Sequence, residues 1–319
     1  MHDRDMAVVD QALTRSRRAR QPQTLADLLT LVGLTSGVAN IIMQLSLPAV
    51  GHGVHESRVE SGSPRRHPFK RLRTTGQYLV VAVAGNDDDR AALRQEIAKV
   101  HAHVHSTASS PVKYSGNSRS QKLWVAVCLF RFYIDQYEFL YGPLDRDTLD
   151  VLTRAGEPLA TGVNVPASAW PQSWAEFEAY WESMRPALSI APEVRDDLKS
   201  LSDFMFLNEA LGAPGWVLAK VFGPLNHFLT RGNLPPEFRE MLGWSWSDTE
   251  QLWFDRLLRL LRIADVVNPW ALYQYQRMML LDQRIRLRLR GSVLGKEKIL
   301  DEPLGEQGAT PAERRRNRR

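Results

Sequence analysis

Three short runs of this 319-residue chain carry the residue types that do chemistry. The densest is Val100-His101-Ala102-His103-Val104-His105. Neutral imidazole is the commonest metal-binding side chain, and one histidine at the floor of an apolar pocket can hold haem iron from its proximal side. If the run is helical, His101 and His105 share a face while His103 points elsewhere. Taken alone, it fits a surface or capped core histidine at least as well as a ligand. The second run is Lys70-Arg71-Leu72-Arg73-Thr74-Thr75, in which Arg71, Thr74 and Thr75 share a helical face. An arginine beside hydroxyls can bind a carboxylate or steady oxygen by hydrogen bonds; a basic first turn in solvent is the plainer reading. The third run, Gly51 to Arg58, brings His52, His55 and Glu56 together, types that suit a metal, though surface loop residues are the favoured reading.

The elements that must position these groups read as helices. Apolar spacing predicts a buried helix from Thr24 to Leu47, ended or kinked by Pro48, then a loop or short helix from Gly51 to His67. Phe69 to Ala84 is a helix candidate. Gly85 to Asp89 supplies a cap, a turn and an acidic start for a helix from Asp88 to about Val104. A polar loop follows, then a long apolar helix from Leu123 to Tyr141. Shorter helices are expected at 147–160, 173–188 and 192–211, a stretch punctuated by Pro and Gly at 212–236, and two last helices at 248–264 and 269–290. Strand-type alternation is nearly absent, so the fold class is all-α.

Composition narrows the partners. Of the net charge of +5, residues 1–20 hold +2 and residues 311–319 hold +4, which leaves the rest of the chain near −1. Basicity confined to tails argues against a nucleic-acid reader. The domain reading is a flexible basic leader over 1–20, one helical domain over 21–291 and a disordered basic tail over 292–319. A single cysteine, Cys128, excludes an intramolecular disulfide framework and fits a packed apolar residue. The segment Leu25 to Val50 is too broken by Gly33, Gly37, Gln44 and Pro48 for a membrane span. A cytoplasmic protein is expected, with peripheral membrane contact left open.

Taken in order, the segments QLSLPAVGHGVHESRVESG, HPFKRLRTTGQYL, VHAHVHS, SPVKYSGNSRSQKLWVAVCLF, YEFLYGPLDRDTLD, PQSWAEFEAYWE and FLTRGNLPPEFREMLGWSW resemble the MpaB and rubber-oxygenase catalytic domain, from about Leu25 to Gly291. The resemblance implies a globin-like helical core holding haem b, with His101 as the axial iron ligand. It further implies an oxygenase that uses dioxygen on an apolar, alkene-containing lipid or isoprenoid. Arg71 and Thr75 match residues bordering the haem in latex clearing proteins. Thr74 stands where those proteins have a lysine that can cap the iron. His105 stands where they have arginine, so cofactor pairing there would follow pH. Two other readings are carried: a non-catalytic helical haem or lipid binder, and a non-haem metal hydrolase using His101, His105 and an acidic partner such as Glu56.

Overall fold

The apolar stretch around Cys128, hydrophobic on every side, lies at the centre of the molecule, as a helix without a polar face must. In the computed structural model, which describes residues 21–301 apart from 31, 32, 34, 35, 64, 65 and 268, the helices run in chain order as follows. They are Gly37–Leu45 (α1), Pro48–His55 (α2), Pro68–Ala84 (α3), Asp87–His101 (α4) and Arg119–Tyr141 (α5). Next come Arg146–Ala155 (α6), Pro158–Thr161 (α7), Trp174–Met184 (α8), Pro192–Ser202 (α9) and Phe206–Leu211 (α10). Ala213–Asn233 (α11), Pro236–Leu242 (α12), Asp248–Val267 (α13) and Pro269–Arg290 (α14) complete the set. No strand forms among the described residues; there are two isolated antiparallel bridges, Val59 with Ile299 and His105 with Ser115. The chain is a single all-α domain. The leader over 1–20 and the tail beyond 301 lie outside the described residues.

The core is aromatic and wraps α5. Phe130 meets Phe177 and Trp170 edge-on at 5.2 and 5.7 Å between ring centroids, and Trp124 lies 5.2 Å from Trp181. Two polar side chains enter this core with partners: Asn40 donates to the Cys128 carbonyl at 2.8 Å, and Gln136 donates to Asn233 at 2.7 Å. Cys128 is fully buried, and burial pushes its thiol well above the ordinary range, so it packs rather than reacts. Most aromatics of α5 are core in the same sense, with Trp124 and Phe130 both at 0% exposure, whereas Phe139 is exposed.

Proline starts helices here. Pro48, which the sequence suggests as a terminator, sits in the first turn of α2, where the missing N–H costs nothing. Pro68 and Pro192 do the same for α3 and α9. The predicted helix from Thr24 to Leu47 is a 3-10 turn at Leu25–Leu28 and then α1. The larger departure is α11, a continuous helix through a stretch rich in Pro and Gly, with Pro224 inside it. Its glycines serve close approach: a Cβ on Gly215 would stand 1.9 Å from the Leu207 carbonyl oxygen, and one on Gly223 would stand 2.3 Å from that of Asp203. Gly212, at φ +65°, makes the turn from α10 into α11. Gly223→Ala should therefore force backbone apart and lower stability by about 1–3 kcal/mol, read as a fall in the urea midpoint at unchanged slope.

Residues 292–301, assigned to the tail on sequence, are docked instead. Glu96 on α4 accepts from the backbone N–H groups of Val293 and Leu294 at 2.7 and 2.8 Å, and Val293 is fully buried. Two carboxylate oxygens gripping successive amides are enough to hold a chain end that has lost its helix.

Candidate functional site

Asn86 caps α4 by accepting from the Asp89 N–H at 2.8 Å, and three aspartates fill the first turn. The helix then runs to His101, its last residue. The chain turns at Ala102 and returns as a loop whose Gly116 N–H donates to the Val104 carbonyl at 2.7 Å. A Cβ on Gly116 would lie 2.7 Å from the His101 carbonyl oxygen, so the loop can clamp the helix end only with glycine there. His105 lies in this extended return, exposed, and bridges to Ser115. The shared face expected for His101 and His105 does not form, because the helix ends before the fourth residue is reached. His103 is exposed as well.

His101 is the chemically unusual member. Its Nδ1 is buried without a hydrogen-bond partner, a deficit worth about 1–3 kcal/mol. Burial lowers the imidazole to about 4, and the cations of Lys122 and Arg71 push the same way, against the Gly116 backbone. A helix C-terminus ordinarily favours imidazolium; here desolvation and two positive charges outweigh it. The ring is neutral at physiological pH and keeps a lone pair, the state a metal ligand requires.

Arg71, on the first turns of α3, keeps accessible surface yet is crowded enough that desolvation lowers its guanidinium, as for a side chain on the wall of a recess. Lys122, in the first turn of α5, is 7% exposed, and desolvation lowers it too. Among the described residues no carboxylate acts on either cation to offset that cost. Lys122 is the residue that sequence reasoning missed. It sits at the polar end of an apolar helix, where a lysine ordinarily faces solvent, yet the fold leaves it buried.

The threonines divide. Thr74 donates to the Arg71 carbonyl at 3.1 Å, so its hydroxyl is spent on its own helix, while Thr75 is exposed. On α5 the Tyr133 hydroxyl is buried with no hydrogen-bond partner among the described residues, and a Cβ on Gly76 would clash with the Tyr275 hydroxyl.

The third sequence run is a structural network. Glu56 accepts from Ser110 at 2.5 Å and Tyr114 at 2.8 Å, with His52 at 3.3 Å. His55 pairs with Asp197 on α9 at 2.7 Å; burial, which alone would lower His55, is outweighed by Asp197 and the neighbouring Glu193 and Glu56, and its affinity for protons rises. Among the described residues no group of three or more His, Cys, Asp and Glu side chains is placed to hold a metal ion. The hydrolase reading, which needed His101, His105 and Glu56 to converge, loses its ligand set.

Fold and site together define a class: an all-helical single domain with a histidine-centred, electropositive site where one helix ends and another begins. The chain belongs to the family described as ER-bound oxygenase mpaB/B'/Rubber oxygenase, catalytic domain, whose model matches residues 27–263. It is similar to an uncharacterised protein of Mycobacterium bovis and to one of Mycobacterium tuberculosis, each 44% identical over 253 residues, which is 78% of this chain and 96% of the relative. No solved structure matches the chain. No helix among the described residues is long and apolar enough to cross a membrane.

Proposed function

We propose that the protein is a haem b-dependent oxygenase that uses dioxygen on an apolar, alkene-containing lipid or isoprenoid, working in the cytoplasm or at a membrane surface. The observation that carries this reading is the buried, unpartnered nitrogen of a neutral His101 beside two cations without counter-charge. Haem supplies the two things this donor set lacks, a metal for the imidazole and carboxylates for Arg71 and Lys122. Membership of a family described as oxygenases supports the reaction class. When bound, haem contributes redox-active iron able to bring dioxygen to bear on an alkene.

The chain's own residues supply the rest. Burial keeps His101 unprotonated and so ready to ligate. Arg71 and Lys122 would hold the group by pairing with its propionates. Thr75 and the Tyr133 hydroxyl offer hydrogen bonds on the α3 side, whereas Thr74 has its hydroxyl committed. In this reading the aromatic core around α5 would take the globin-like role of keeping bulk water from the pigment.

An absorption spectrum of the full-length protein, expressed with haem supply or reconstituted, should show a Soret band that shifts on reduction. A colourless protein after reconstitution would sink the proposal. Oxygen consumption with isoprenoid extracts separates an oxygenase from a helical haem carrier, which would hold the pigment and consume nothing. Lys122→Met should weaken haem uptake about tenfold by spectral titration, since one charge-assisted contact is lost. It should leave the fold intact, because the apolar stem is kept.

A further inference from the structure

The first half of α11 contradicts its surroundings. Between Ala213 and Leu225 only Gly215, Ala219 and Gly223 are buried. Trp216, Val217, Leu218, Val221, Phe222 and Leu225 are exposed by 38–62%. At 100° per residue these six side chains span roughly 240° of the helix circumference. The buried stripe is small residues pressed on the segment Asp203 to Leu207. What results is a short helical hairpin, α10 and α11 joined at Gly212, whose α11 arm bears apolar surface on most of its sides while α10 exposes Asn208 and Glu209.

A helix apolar nearly all round belongs in a core or in lipid. A protein partner, including a second copy of this chain, covers one face and would leave the others wet. A lipid phase surrounds a projecting hairpin. Thirteen residues of α helix are about 20 Å long, short of the roughly 30 Å of a hydrocarbon core, so the hairpin can dip into one leaflet without spanning it.

Charge points the same way. Apart from the exposed Glu209 of α10, the hairpin has no Asp or Glu from Ala213 to Pro236, and Lys220 is its exposed base, Arg231 being paired with Glu250 at 2.6 Å. The Lys220 ammonium lies 5.8 Å from the Trp216 ring centroid, the pairing that interfacial residues use at headgroup depth. At the root of the hairpin a cavity of about 360 Å³ is lined by Lys199, Lys220, His227 and Trp244, with Asp203 as its one acidic group. The Asp203 carboxylate is already engaged by the Met205 N–H at 3.0 Å.

We infer that the α10–α11 hairpin docks the protein on an anionic phospholipid surface, with acyl chains against Trp216, Val221, Phe222 and Leu225 and a phosphate headgroup in the cavity beside Lys199 and Lys220. This gives the membrane contact of the proposed function a definite surface, and it does not depend on haem.

Vesicle flotation of the full-length protein tests it, with phosphatidylcholine alone and with phosphatidylcholine plus phosphatidylglycerol. The wild type should float with the anionic vesicles and much less with the neutral ones. Val221→Glu with Phe222→Glu should cut the bound fraction about tenfold or more, and Leu225→Glu, a turn away, should act in the same direction. Lys199→Glu with Lys220→Glu should abolish the difference between the two lipids. All these side chains are exposed, so thermal melts should match the wild type. Equal flotation with both lipids, flotation with neither, or variants that bind like the wild type would overturn the inference. So would light scattering that shows a dimer split by Phe222→Glu, since a second copy would then own the surface. A Soret band unchanged through all arms keeps the outcome separate from the question of haem.

Discussion

His101→Ala should give a folded protein that no longer retains haem, with the Soret band gone and affinity for the pigment lower by about 100-fold or more. The fold should survive, because the deleted ring makes no hydrogen bond through Nδ1 and its removal erases a buried, unsatisfied polar atom. No other histidine near it can substitute. His103 and His105 are exposed beyond the helix end, and His52 and His55 are held by Glu56 and Asp197. Free imidazole added to the variant should restore part of the band by occupying the space the side chain left. His105→Ala is the control: it should keep the wild-type spectrum, since the residue sits in an extended bridge. Haem at wild-type stoichiometry in His101→Ala, or its loss in His105→Ala alone, would move the site to another residue.

How much of this the sequence announces depends on the range of the interaction concerned. Elements with a strong local signal are legible: α3, α5, α13 and α14 lie within a few residues of where periodicity places them. The segment around His101 is legible as chemistry and misread as geometry. Helix periodicity through His105 is a local inference, but the clamp at Gly116 that ends the helix comes from fifteen residues away. In α11, Pro and Gly are local breakers, and only contact with Asp203 and Leu207 shows that the glycines exist for close packing. The cation at Lys122 is invisible as well. It is 7% exposed in the fold, and nothing in its sequence neighbours distinguishes it from a solvated first-turn lysine.

Acid should destabilise the haem-free protein in a window that belongs to His101. Its imidazole falls to about 4 in the fold against an ordinary 6.5, so between those values the unfolded chain takes up a proton that the folded one refuses. Stability from this group is complete above pH 6.5 and falls as pH drops toward 4, by about 3 kcal/mol in all. His227, lowered by burial and then by Arg231, adds in the same direction. Asp135, pushed up to about 6 by burial despite Arg131, works against it, because a carboxyl raised in the fold regains stability as pH falls through that value. The readout is therefore the difference between wild type and His101→Gln, in which the other groups cancel. Urea midpoints at pH 6.5, 5.5 and 4.5 should show the wild type losing more than the variant at each step. Parallel curves would mean that the ring titrates as freely in the fold as out of it, and an imidazole so accessible to water would have no enclosed lone pair to offer a metal.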